Sequence, residues 1–374
     1  MSTIEKDGLE SPSHTKDGLE SPSHTGKQSR VRSIVAAMTA YTLELRETEV
    51  KLNQNESPYD LPAELKDEVL TRVRQRGWNI YPDFESIALR TALARTYGLS
   101  WENILVGNGS NELLGAAIGA YVGPGTPVIF PRPTFTLYEK LVTVAGGIPV
   151  PIEFDPDSGV LPLDDMLRAI AAVENPVVIL CSPNNPTGGV LPEGGLQQLL
   201  DSGASVLFDR AYGDFAGHEP PPVQNRLVTF STFSKAWSLA GLRVGWLATT
   251  EEIAREIRKV KLPYSLNVIS ESIAITALEH RQYRDANVAR TIAERERVLR
   301  ALQTIPQIKP FPSQANFVAF RTFRYSKEVF DELCARSILV RDVSSYPRMK
   351  NCLRVSIGSP EENDRFLAAL REIV

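Results

Sequence analysis

The stretches VVILCSPNNPTG (177–188), SVLFDRAY (205–212) and VTFSTFSKAW (228–237) share one layout: a short apolar run that ends abruptly in turn formers, a carboxylate or hydroxyls. Short β-branched runs bounded by turn residues read as strands buried on both faces. Four further runs of this kind lie at 104–106, 127–130, 148–152 and 244–248. Between them, amphipathic stretches such as 161–172 and 193–200 have the length to cover a sheet face. The expectation is an α/β fold with one seven-stranded, mostly parallel sheet. After a long helical reading over 271–302, the texture shifts to strands at 315–320, 338–340 and 353–357, with helices at 327–335 and 361–373. This reads as a smaller α+β domain.

Composition sets the outer bounds. A chain of 374 residues supports two cores. With 43% hydrophobic and 23% charged residues it has the make-up of an ordinary globular protein. A formal net charge of −4, with both signs interspersed, argues against nucleic acid or an anionic membrane as partner. The longest small-apolar stretch, 113–130, is interrupted by Gly115, Gly119, Gly123, Pro124, Gly125 and Pro127, a poor membrane span. Cys181, Cys334 and Cys352 lack C-x-x-C spacing, which argues against a disulfide framework and a zinc site and fits a reducing cytoplasm. The decapeptide KDGLESPSHT occurs twice, at 6–15 and 16–25, and reads as a polar, disordered tail outside the fold.

In parallel sheets, ligands sit beyond the carboxyl ends of the strands. After 104–106 comes GNGSNEL (107–113), a glycine turn feeding a helix whose N-terminus suits a phosphate; taken alone it is equally a plain turn capped by Ser110 or Asn111. After 177–181, two prolines and a glycine frame Asn185. Asp209 and Tyr212 follow the next strand; a carboxylate at a buried strand end needs a cationic or hydrogen-bonding partner, and a structural salt bridge would also serve. Lys235 sits among hydroxyl and apolar residues, an unusual setting for a surface lysine.

The ordered set SPNNPTG, Asp209-x-x-Tyr212, TFSKAWSLAGLR (232–243) and the late pair Leu353-Arg354 resembles the fold-type I aminotransferases that use pyridoxal 5'-phosphate (PLP), and within them the histidinol-phosphate aminotransferase subfamily. The resemblance runs from about Tyr41 to the C-terminus. With the disordered tail over 1–30 set apart on its composition, the expected organisation is an arm over 31–60 that packs with the small domain and a partner, a large PLP-binding domain over 61–265 and a small domain over 266–374. Lys235 would hold the cofactor covalently and move the reacting proton, Asp209 would pair with the ring nitrogen, and Asn185 and Tyr212 would bond the ring oxygen. Ser110, Asn111, Thr232, Ser234 and Arg243 would hold the cofactor phosphate, with Phe135 stacking on the ring where relatives more often have tyrosine. Arg210 is a second departure, since relatives commonly have glutamate there.

On the substrate side the resemblance implies Tyr41 and Asn55 in the pocket and Arg354 on the α-carboxylate of glutamate. It further implies Arg341 on the phosphate of histidinol phosphate, with Asn316 nearby. Either arginine could instead be a strand-end ion pair with Glu361, Glu362 or Asp342. Tyr81 would reach a partner's cofactor phosphate, which implies a homodimer with shared sites. No metal is expected. The reaction implied is amino transfer between L-histidinol phosphate and 2-oxoglutarate in histidine biosynthesis. The alternatives are an aromatic amino-acid aminotransferase, a PLP-dependent decarboxylase of a phosphorylated amino acid, or a PLP-binding regulator, which would need a helix-turn-helix domain.

Overall fold

The computed structural model describes residues 30–40 and 46–374; the duplicated decapeptide and Tyr41 lie outside the described residues. The chain divides into a unit ending at Thr39, whose described part holds the short helix Ser33–Ala36, and a unit spanning Ala40–Val374. In the second unit the strands run in chain order as β1 (Val50–Lys51), β2 (Ile104–Asn108), β3 (Pro127–Arg132), β4 (Ile148–Glu153), β5 (Val177–Cys181), β6 (Ser205–Asp209), β7 (Leu227–Thr232) and β8 (Val244–Ala248). They continue as β9 (Ile308–Pro310), β10 (Phe317–Thr322), β11 (Ile338–Leu339), β12 (Arg341–Asp342) and β13 (Cys352–Ser356).

The seven runs expected from the sequence form one sheet in the order β2-β8-β7-β6-β5-β3-β4. Every pairing in it is parallel except those of β8, which runs antiparallel to β2 and β7. Strand alternation explains the continuous apolar runs: Val177, Ile179 and Cys181 of β5 face one core, while Val178 and Leu180 face the other. The second core is closed by the helix Leu163–Ala171, which buries Leu163, Met166 and Ile170 at helical spacing. With helices on both faces, the open edge left to function is the row of loops leaving β2, β5, β6 and β7.

A second sheet, ordered β12-β13-β10-β9 and antiparallel throughout, carries its own core, in which Val298 and Leu302 meet Phe320, Leu353 and Phe366. The terminal helix Pro360–Ile373 begins with a capping box between Ser359 and Glu362, with proline in the first turn.

The structure corrects two readings. The helical stretch expected over 271–302 is two helices, Val268–Glu279 and Gln282–Gln303, separated at His280 and Arg281. The first contributes Ala274, Ala277 and Leu278 to the large core, while the second spans both cores, with Val288 in the large one and Val298 and Leu302 in the small one. The strand expected over 338–340 is likewise divided. Ile338–Leu339 pairs in parallel with Val50–Lys51, and Arg341–Asp342 joins the small sheet beside β13. Hydropathy registers burial in both cases, but it does not register a change of neighbour.

Candidate active site

Beyond the carboxyl ends of the large-sheet strands lies a cavity of 370 Å³. Its walls include Ser110, Asn111, Phe135, Asn185, Asp209, Tyr212, Thr232, Ser234, Lys235 and Arg243 from the large-sheet side, and Asn55, Arg341 and Arg354 from the other. Thirteen of the sixteen residues singled out from the sequence therefore share one cavity. Of the remaining three, Tyr41 lies outside the described residues, and Asn316 and Tyr81 lie elsewhere in the fold. Asn316 is buried behind the wall and donates from Nδ2 to the carbonyl of Asn55 at 3.0 Å. Tyr81 is 79% exposed and stacks on Tyr264 with centroids 4.6 Å apart.

One end of the cavity is rich in donors. The helix Ser110–Tyr121 starts there, with Gly109 as its N-cap at φ 81°, so Ser110 and Asn111 are its first-turn residues and neither caps it. A Cβ on Gly109 would stand 2.5 Å from Nη2 of Arg243, and one on Gly245 would stand 2.2 Å from the Ser110 amide nitrogen. Both glycines are thus required for the guanidinium and the helix end to come this close. The Arg243 Nη1 group donates to Ser234 Oγ at 3.2 Å, and Thr232 Oγ1 donates to Ser234 Oγ at 2.9 Å. A helix N-terminus, two hydroxyls and a guanidinium in one place form a donor set for a phosphate.

The centre of the cavity holds a carboxylate and an amine. Asp209 is buried at the end of β6, and its Oδ1 accepts from the Ala211 amide at 2.9 Å and its Oδ2 from the Tyr138 hydroxyl at 2.7 Å. Burial raises its pKa above the ordinary carboxylate value, and these two donors oppose that rise. Lys235 donates from Nζ to the carbonyl of Gln54 at 2.8 Å. Loss of solvation, aided by the nearby Arg354 cation, brings its pKa down from 10.5 to about 7. A lysine of this kind is partly neutral, hence nucleophilic, near neutral pH.

The opposite wall is cationic. Arg341 and Arg354 are direct cross-strand partners on β12 and β13, so their side chains leave the same face of the small sheet. Arg354 bonds Asn185 Oδ1 through Nη1 at 2.5 Å and the Asn53 carbonyl through Nη2 at 2.8 Å, which ties this wall to the loop after β5. That loop is stiffened by Asn184, whose Nδ2 donates to Pro133 O and Thr187 Oγ1, both at 2.9 Å.

Sequence reasoning missed Asn53, Gln54, Tyr138 and Tyr346 in the wall. Tyr138 was legible in principle, lying three residues from Phe135 at the start of the helix Leu137–Ala145. Asn53 and Gln54 take part through their backbone carbonyls, which side-chain chemistry does not advertise.

The chain belongs to the aminotransferase class I and II family, whose model matches residues 47–370. Among curated relatives, the histidinol-phosphate aminotransferase of Chlorobaculum tepidum is 37% identical over 335 residues, covering 88% of this chain and 95% of that protein. The histidinol-phosphate aminotransferase of Aquifex aeolicus is 36% identical, covering 91% and 97% respectively. Among solved structures, histidinol-phosphate aminotransferase from Sinorhizobium meliloti in complex with pyridoxal-5'-phosphate superposes with a TM-score of 0.83 at 26% identity, covering 93% of this chain and 98% of that one.

Proposed function

We propose that this enzyme is a PLP-dependent aminotransferase that moves the amino group of L-histidinol phosphate to 2-oxoglutarate, forming imidazole acetol phosphate and glutamate in histidine biosynthesis. The donor set around Arg243 suits the cofactor phosphate, and Asp209 and Lys235, which line the same cavity, are the kinds of anion and amine that an electron-accepting ring needs. The names of the relatives and the bound cofactor of the Sinorhizobium meliloti structure support the same reading. PLP bound there supplies a sink for the electrons left behind when a proton leaves the substrate's α-carbon.

The residues of the chain then have distinct tasks. Lys235 would hold the cofactor, and its amine would carry the proton that leaves the substrate's α-carbon, a role suited to a pKa near 7. Asp209 keeps a proton on the ring nitrogen, and the Tyr138 hydroxyl and the Ala211 amide hold its two oxygens for that contact. Tyr212, whose pKa burial pushes up, stays a neutral donor to the ring oxygen, alongside Asn185. Phe135 would cover the ring face; its own ring stands edge-on to Tyr138 at 5.6 Å.

The observation that carries the choice of substrate is the pairing of Arg341 with Arg354. Like charges directly opposite on neighbouring strands are unfavourable, and this pair lines the cavity. Together the two guanidiniums suit anionic substrate groups: the two carboxylates of glutamate in one half-reaction, and in the other the phosphate of histidinol phosphate. We further propose a cytoplasmic homodimer in which Tyr81 serves the partner's site. The exposed side chains Trp78, Ile80, Tyr81, Phe84 and Leu262 support that assembly. Among the described residues no helix is long and apolar enough to cross a membrane.

The test is a half-reaction. The PLP-loaded protein is mixed with L-histidinol phosphate and separately with phenylalanine, and the absorption band of the lysine-bound cofactor is followed. Rapid loss of the band with histidinol phosphate alone is expected. Faster loss with phenylalanine would assign an aromatic substrate instead, and evolution of carbon dioxide without a 2-oxo acid requirement would make the enzyme a decarboxylase.

A further inference from the structure

Three consecutive carbonyls, those of Asn53, Gln54 and Asn55, each accept a hydrogen bond from a different side chain: Arg354, Lys235 and Asn316. The carbonyls of Asn53 and Asn55 turn to small-sheet side chains and that of Gln54 to Lys235 on the large-sheet side, the alternation of an extended chain. Asn55 ends that stretch, with φ 54° in the left-handed region that asparagine tolerates better than most residues. Its conformation is held by Ser356 on β13. The Asn55 amide donates to Ser356 Oγ at 2.8 Å, and Ser356 Oγ donates to Asn55 Oδ1 at 3.2 Å. With its oxygen engaged, Asn55 has only Nδ2 to offer, and Nδ2 donates to the Tyr212 hydroxyl oxygen at 3.0 Å.

A tyrosine hydroxyl carries a single proton. Because Tyr212 Oη accepts from Asn55, its proton points away from Asn55, and Tyr212 lines the cavity. Ser356 is 2% exposed and is not part of the cavity wall, and its hydroxyl reaches the site through Asn55. It lies two residues beyond Arg354 on the same strand and therefore on the same face. The face that carries the anion-binding arginine thus also fixes the segment that receives the lysine.

We propose that Ser356 and Asn55 form a positioning relay: Ser356 sets the backbone and rotamer of Asn55, and Asn55 orients the Tyr212 hydroxyl and holds the Gln54 carbonyl against Lys235. Asn55 is then a positioning residue, where the resemblance cast it as a pocket contact. The inference rests on the reading of the cavity as a PLP site. A hydroxyl donating to the cofactor's ring oxygen favours the deprotonated form of the bound cofactor, so loss of that orientation raises the pH midpoint of its visible band.

The experiment compares Ser356→Ala and Asn55→Gly, the latter chosen because glycine keeps the left-handed backbone. PLP affinity, the pH midpoint of the band and the unfolding temperature are measured for each. The net worth of one hydrogen bond corresponds to a midpoint rise of about 0.5–1 pH unit for Asn55→Gly. A smaller rise in the same direction is expected for Ser356→Ala, with PLP still bound by both. Midpoints unchanged to within about 0.1 unit, together with a lowered unfolding temperature, would reduce Ser356 to a structural role and overturn the relay. If Ser356→Ala does not fold, Asn55→Gly decides by the same criterion. Absence of any PLP band in the unsubstituted protein would overturn the cofactor reading itself, an outcome separate from an unshifted midpoint.

Discussion

The two walls of the cavity are built on different principles. On the large-sheet side, side chains sit immediately after the strand ends: Asp209 closes β6, Asn185 follows β5, and Ser234 and Lys235 follow β7. On the other side, the wall is made from segments distant in the chain: residues 53–55, Arg341, Tyr346 and Arg354. There, backbone carbonyls do much of the joining. In the proposed reading the first wall carries cofactor chemistry, and the arginines of the second recognise what is brought to it. Substitutions on the first should therefore depress turnover whatever the substrate, while those of the second wall's arginines should discriminate between substrates.

The sharpest test of that division is Lys235→Ala. It removes both the holding amine and the proton carrier, and turnover should fall by about 10⁴-fold or more with the lysine-linked absorption band gone. A variant retaining a tenth of the activity would break the assignment. Asp209→Asn keeps the shape but not the charge, and we expect about 10²–10³-fold lower kcat with KM nearly unchanged. A loss confined to KM would move Asp209 to the recognition wall.

Recognition should behave differently. Arg354→Lys exchanges a planar fork for a point charge and should raise KM for glutamate about 10- to 100-fold while sparing kcat. Arg341→Lys should weaken L-histidinol phosphate by a similar factor and glutamate less. Equal effects of both variants on both substrates would merge the two anion positions into one.

The pH dependence of cofactor capture gives a graded test of the first wall. With a pKa near 7, the Lys235 amine loses its proton as pH rises through neutrality. The rate at which the cofactor-free protein takes up PLP should fall about tenfold per pH unit below 7 and level off above about 8. A lysine at its ordinary value would still be accelerating at pH 9, so the position of the plateau, read by stopped-flow absorbance, reports whether Lys235 is desolvated.

The same contrast governs what could be read before the fold was known. All seven strands of the large sheet and nearly every side chain on its wall were legible, because a buried parallel strand must be apolar and its exit must carry the polar group that meets a ligand. Asp209 and Lys235 stand out as charges where the pattern calls for none. By contrast, nothing in residues 52–55 reveals that three carbonyls will be shared among three side chains, since a backbone oxygen has the same chemistry in every residue. Asn316 illustrates the limit: it was expected near substrate, but it supports Asn55 from behind the wall. Tyr138 was overlooked because its hydroxyl acts on Asp209, a partner 71 positions away.

Arg210 lies next to Asp209 but belongs to neither wall, and it gives the smallest expected effect on turnover. It is buried, donates from Nη2 to the His218 carbonyl at 2.5 Å, and packs so closely that a Cβ on Gly213 would meet its guanidinium at 2.9 Å. Burial lowers its pKa, while Asp214 and Glu219 favour its charge; Asp214 is itself paired with Arg284 at 3.0 Å. Here the arginine answers a local excess of carboxylates. Glutamate, the residue the resemblance leads one to expect at this position, would in this chain add another anion beside Asp214 and leave the His218 carbonyl unpaired. Arg210→Glu should therefore lower unfolding stability by about 3–5 kcal/mol, with Arg210→Leu intermediate. Turnover of the protein that remains folded should change by less than about threefold, since no cavity group is touched. Denaturant unfolding alongside kcat at low temperature separates the two effects. A large loss of kcat with stability intact would make Arg210 part of the Asp209 wall.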